Sequence, residues 1–289
     1  MKKVFNSYTA IFLALTAYLM LYRTLYRTGF PDFYASVAGC LVVLLVCKLG
    51  KGELTFDGTG KKMTFKVFII VLGLLYLAQL LGRPIYWLFE KIFNLMGRTM
   101  YGGSDVVQEQ VLFDDALAKL TTAFFPIILG PIIEELLYRS YGAKNFSLKG
   151  GMVLGIVASA VAFAIGHGRF YLCIHTFFAG LVFGWLLFEY GFKWACIFHI
   201  INNLGIVGID MLIFALFPEK VAGTAATVFS LVMVVLAVLL CLPHRGEIAE
   251  VIRQNKAPEG EFKKAFLNPG FIVMVLYSLY KAVINVTPM

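Results

Sequence analysis

The sequence predicts an all-α fold, a polytopic bundle of about eight or nine membrane-spanning helices. Hydrophobic residues fill 60% of its 289 positions and charged residues only 15%. Soluble domains run at about 45–50% apolar and about 25% charged. The apolar residues are also gathered into runs of spanning length, separated by charged segments. A helix needs about 20 such residues to cross a hydrocarbon core roughly 30 Å thick, and it satisfies its own backbone while doing so. The formal net charge of +8 comes from basic residues scattered between the runs, not collected in a stripe. That distribution argues against nucleic acid and for contact with the lipid bilayer.

The runs fall at 8–26, 33–49, 67–82, 117–138, 151–167, 171–190, 193–216 and 221–242, with a ninth at 270–287 interrupted by Lys281. The first follows Met1-Lys2-Lys3 like a signal peptide, and a lipobox-like Val37-Ala38-Gly39-Cys40 comes later. Arg23, Arg27 and Asp32 break the pattern between them, so the first run is expected to be a retained span. The second and third runs are short and need flanking residues to cross. Segment 83–98 mixes Tyr86, Trp87 and Phe89 with Arg83, Glu90 and Lys91, which suits a helix lying at the interface. Residues 50–65 and 243–269 are the sizeable polar loops. This organisation divides the chain into N-terminal spans with the interfacial helix (1–114), a core expected to carry the chemistry (115–215), and C-terminal spans with a basic loop (216–289). The cysteines, Cys40, Cys47, Cys173, Cys196 and Cys241, lie in or beside apolar runs and form no CxxC pair, so they read as small buried hydrophobes. With the N-terminus in the cytoplasm and spans alternating, 16 Lys and Arg fall inside and 8 outside. The positive-inside bias therefore predicts a multi-pass cell-membrane protein with a cytoplasmic N-terminus.

Ionisable groups within spans cost about 2.5–3.5 kcal/mol each even on the lenient insertion scale, and they mark function. Glu134-Glu135-Leu136-Leu137-Tyr138-Arg139 closes the fourth run after fourteen residues without a charge. Glu135 and Arg139 are spaced i, i+4 for an ion pair along one helix face. Adjacent residues point about 100° apart, so Glu134 is expected to face elsewhere and stay available for chemistry. Pro131 removes one backbone hydrogen bond, to the Ile127 carbonyl, and can bend the helix around a wet cavity. Phe163 to His167 forms a second cluster; a lone histidine at a helix end is usually structural. The third is His199-Ile200-Ile201-Asn202-Asn203, in which His199 and Asn203 share a face, with Asp210 near it. Such a stripe must face protein or water; interhelical glue is the plainer reading. His175 reads as a packing or network residue.

Together these clusters resemble the CPBP family of intramembrane proteases, which includes CAAX prenyl proteases and bacteriocin-processing or immunity proteins. The family pattern EExxxR, FxxxH, HxxxN reads here as Glu134-Glu135 to Arg139, Phe163 to His167, and His199 to Asn203. The resemblance covers about residues 115–210. It implies an endopeptidase acting in the membrane on a membrane-associated peptide or protein tail. Glu134 would be the general base on a water, with His167 holding that water. His199 and Asn203 would stabilise the oxyanion, and Glu135 and Arg139 would support the motif helix. The motifs contain no nucleophilic Ser or Cys, so water is the simplest nucleophile. The family has been described both as metal-dependent and as metal-independent. No cofactor is expected to be required, with zinc on Glu134, His167 and His199 as the alternative. The chain resembles bacterial members of the family, and that resemblance implies a peptide precursor such as a bacteriocin or signal peptide rather than a prenylated tail. Two other readings stay open: a catalytically silent scaffold or immunity protein, and a proton-coupled transporter. With straight spans His167 would lie near the outer end, away from Glu134 and His199. They meet only if the fourth helix runs on toward Lys149, or if the fifth starts below the bilayer.

Overall fold

The computed structural model describes residues 8–50, 52–99, 124–206, 212–213 and 215–288. Lys2 and Lys3, the start of the fourth run, the 114/115 boundary and Asp210 lie outside the described residues. Helix α1 is Tyr8–Arg27, α2 is Asp32–Gly50 and α3 is Phe65–Leu95. The helical stretch Ile127–Gly166 follows, bent into arms that we label α4 (127–150) and α5 (152–166). Then come α6 (Cys173–Tyr190), α7 (Phe192–Ile200), α8 (Glu219–Cys241), α9 (Arg245–Gln254), α10 (Glu261–Phe266) and α11 (Pro269–Ile284). The strands among the described residues are β1 (Arg98–Thr99) and β2 (Thr287–Pro288), paired antiparallel. Among the described residues five helical stretches are long and apolar enough to cross a membrane, and Phe33–Leu49 and Pro269–Ile284 are shorter apolar helices. The chain is an all-α, multi-pass membrane bundle. Large apolar side chains on α8, such as Val228, Leu231, Val235 and Leu239, are exposed, as expected where lipid rather than protein is the neighbour.

One expectation from the sequence is corrected. The charged, aromatic segment 83–98 is not a separate helix at the interface. It continues α3 without a break through Pro84, and at 31 residues α3 is about 46 Å long, well beyond the hydrocarbon core. The runs 117–138 and 151–167 are not separated by a loop. The helix carries on past Arg139 to Gly150 and reverses at Gly151, whose φ of 75° and ψ of 169° interrupt the helical backbone. That region of backbone space is essentially reserved for glycine. The arms then pack side by side and antiparallel: Ser159 Oγ donates to the Tyr138 carbonyl at 2.6 Å. Gly191 makes a similar reversal between α6 and α7, at φ 88° and ψ 169°.

Two cores result. One joins α1, α2, α4, α5 and α11 through residues such as Phe12, Leu15, Leu137, Phe146, Phe163 and Met274. The other joins α3, α6, α7 and α8 through Leu75, Phe183, Leu186, Phe198 and Met233. The segment between α2 and α3 ties the two reversals together. Thr55 N–H donates to Ser140 Oγ at 3.2 Å, Glu53 N–H to Asn145 Oδ1 at 3.0 Å, and Asn145 Nδ2 back to the Glu53 carbonyl at 2.7 Å. Farther along, the Phe56 carbonyl accepts from Phe192 N–H at 2.9 Å, Thr59 Oγ1 donates to the Glu189 carbonyl at 3.0 Å, and Lys61 pairs with the Glu189 carboxylate. That hydrogen bond raises the Lys61 pKa above the usual lysine value.

Candidate active site

The reversal at Gly151 decides where the motifs meet. Glu134 lies about 25 Å of helix before it, and α5 returns the chain by a similar length. His167 therefore comes back level with Glu134, and the depth mismatch expected from straight spans disappears. This is the first of the two alternatives read from the sequence, the fourth helix running on beyond Lys149. Glu134, His167, His199 and Asn203 all line one cavity of about 540 Å³. Local winding contributes as well. The backbone is wound in the wider i→i+5 manner at Phe125–Leu129, at Glu135–Ala143 and at Ile201–Ile206. Such stretches are rare and occur mostly at functional sites. Here they flank Glu134 and carry Asn203.

His199 lies between the two glutamates. Its Nδ1 is 2.8 Å from Glu135 Oε1, and its Nε2 is 3.5 Å from Glu134 Oε2. The expectation that the carboxylates diverge is therefore corrected in one respect: they approach opposite edges of one imidazole. Wider winding from Glu135 onward reduces the angle between successive side chains, and a ring with a nitrogen on each edge can meet both. Glu135 also makes the expected i, i+4 pair with Arg139, Nη1 to Oε1 at 3.3 Å, with both side chains fully buried. A carboxylate already bound to a guanidinium is an acceptor, which assigns the hydrogen to His199 Nδ1 and turns Nε2 toward Glu134.

Phe163 explains the aromatic position of the second motif. The Arg139 guanidinium lies over its ring at 4.1 Å, a desolvated cation–π contact. Its ring meets His167 at 4.7 Å and His199 at 5.6 Å between centroids, both at 88°. Phe183, from the other core, stacks on His199 at 4.6 Å and 19° and also lies 5.3 Å from Arg139. The site is thus built on the seam between the two cores. His167 Nδ1 is 2.8 Å from the Phe163 carbonyl. A carbonyl only accepts, so Nδ1 carries the hydrogen, and Nε2 of a neutral ring can accept from water. Asn202 Nδ2 donates to Asn203 Oδ1 at 3.1 Å.

A catalytic zinc ion needs three protein ligands and an open position. Among the described residues no three of His, Cys, Asp and Glu are grouped to hold a metal. Of the candidates Glu134, His167 and His199, the last turns both ring nitrogens toward carboxylates. Among the described residues, Glu134, His167 and His199 do not make the three-ligand group a catalytic zinc needs. The five cysteines are free thiols, three of them buried.

Sequence reasoning missed three cavity residues. His175 and Asn202 line the cavity. Lys281 lines it from α11. Each had a visible signal: a histidine in mid-run, an asparagine beside the motif asparagine, and a lysine inside an apolar run. Comparison with curated proteins and with solved structures gives no match. Residues 116–205, which hold all three motifs, match the family model described as type II CAAX prenyl endopeptidase Rce1-like, so the polar cluster rests on a segment similar to the protease family that the motifs resemble.

Proposed function

We propose that this chain is an intramembrane endopeptidase that hydrolyses a peptide bond in a membrane-associated peptide or protein tail with a Glu134-activated water. The observation that carries the reading is the convergence of Glu134, His167, His199 and Asn203 on one cavity within a multi-pass membrane bundle. The family match over residues 116–205 supports the same chemistry.

We assign each residue a part. Water in the cavity donates one hydrogen bond to Glu134, and His167 Nε2 accepts the other. Glu134 takes a proton as the oxygen attacks the scissile carbonyl carbon. The C–N bond then breaks, and Glu134 returns the proton to the leaving amine. General bases held this way contribute about 10²–10⁴-fold. Asn203 and His199 stabilise the oxyanion, Asn203 by donating from its amide nitrogen. An oxyanion donor is worth about 3–4 kcal/mol when water is excluded. Glu135 does not touch substrate. It fixes His199, and Arg139 fixes Glu135.

The test uses purified protein in detergent with fluorogenic apolar peptides, both prenylated and plain. We expect wild type to cleave, Glu134→Gln to lose at least about 10²-fold in kcat, and a chelator to change neither. Cleavage that survives Glu134→Gln would remove Glu134 as the base, and loss of cleavage with chelator would reinstate a metal.

A further inference from the structure

We propose that Lys281 is a positioning residue for this hydrolysis, clamping the end of α5 that presents His167 to the cavity. The proposal rests on the endopeptidase reading above. Helix α11 lies outside the segment 116–205 and carries no other charged side chain. A lysine in a lipid-facing helix extends toward water. Lys281 is instead buried, 7% exposed, and its Nζ donates to the Gly166 carbonyl at 3.0 Å.

Gly166 is the last residue of α5. Its carbonyl is among the four at a helix C-terminus that lack an intrahelical partner, and it sits at the negative end of the helix dipole. One turn along α11, on the same face, Asn285 Nδ2 donates to the Gly168 carbonyl at 3.4 Å. The Lys281 stem also packs on Gly168 so closely that a Cβ there would come within 2.6 Å of it. Helix α11 therefore grips the backbone on both sides of His167, while the Phe163 carbonyl holds the ring itself. With chain and ring both held, Nε2 keeps one direction into the cavity. A misplacement of about 1 Å in such a group can cost about 10²-fold in rate.

The test compares Lys281→Met, which keeps the stem and removes the cap, with Lys281→Arg, which keeps a cationic donor, and with Asn285→Ala. On a peptide that wild type cleaves, we expect kcat of Lys281→Met to fall about 10-fold or more with KM within about twofold, and Lys281→Arg to recover most of the loss. Hydrogen exchange of the peptide covering 163–170, read by mass spectrometry, should quicken in Lys281→Met and in Asn285→Ala. If wild type cleaves and Lys281→Met matches its kcat, the proposal fails and the endopeptidase reading stands. A loss that Lys281→Arg does not relieve also overturns it, in favour of packing alone. If wild type cleaves nothing, the endopeptidase reading fails and takes the proposal with it.

Discussion

At the residue scale, Arg139 shows why the motif includes a charge far from water. It is fully buried, its ionic partner Glu135 is also fully buried, and two phenylalanine rings cover the guanidinium. Buried pairs recover their desolvation cost only with good geometry, so such a pair is weak evidence for stability. What this one does is orient. Arg139 holds Glu135, Glu135 holds His199 Nδ1, and His199 turns Nε2 toward Glu134. Removing one member leaves the other charge buried. Arg139→Met should therefore destabilise the fold by about 3–5 kcal/mol, read as a lower melting temperature in detergent. The double variant Glu135→Gln with Arg139→Met should melt above Arg139→Met alone, because no isolated carboxylate remains. If the double variant melts lower still, the uncompensated-charge account is wrong.

At the element scale, the geometry of the candidate site depends on two glycine reversals. Gly151 returns α5 along α4 so that His167 meets Glu134, and Gly191 returns α7 along α6 so that Phe183 can stack on His199. Both glycines sit near ψ 169° with φ of 75° and 88°, a region costing other residues about 1–3 kcal/mol. Gly151→Ala and Gly191→Ala should each lose about that much stability in thermal melts, whereas Gly246→Ala, in open space on α9, should not. The motif pairs were legible because i, i+4 spacing survives any moderate change in winding, and the Glu135–Arg139 pair duly forms. The reversal at Gly151 was not. Between the runs, Lys144, Asn145 and Lys149 carry no spacing that fixes where the helix turns, and Asn145 is buried through a bond to the distant Glu53 backbone. Segment 83–95 misled for the opposite reason. Its charges marked emergence from the hydrocarbon, not a change of helix direction. Lys281 was visible as an anomaly, but its partner lies 115 residues away, a separation no local pattern encodes.

At the scale of the whole molecule, basic residues and reversals collect at one end. Glu53 pairs with Lys144, Lys61 with Glu189, Lys66 with His244, and the Gly151 turn abuts Asn255. The segments placed inside by counting charges, around 50–65, 144–149, 193 and 245–264, therefore meet at one end of the bundle. Arg98 lies at the other end of α3, about 46 Å from Phe65 along the helix axis. Grouping of this kind is what the positive-inside rule acts on, and we expect the end holding the Gly151 turn to face the cytoplasm. The site sits near the middle of the length of α3, since Glu134 stands about 25 Å of helix from Gly151. Lys62 and Arg98 are both exposed and bracket α3, so Lys62→Cys and Arg98→Cys report the two sides. A membrane-impermeant maleimide added to intact cells should label Arg98→Cys above the wild-type background of native thiols and leave Lys62→Cys unlabelled until the cells are opened. The reverse pattern would invert the bundle, with the internal geometry of the site unchanged.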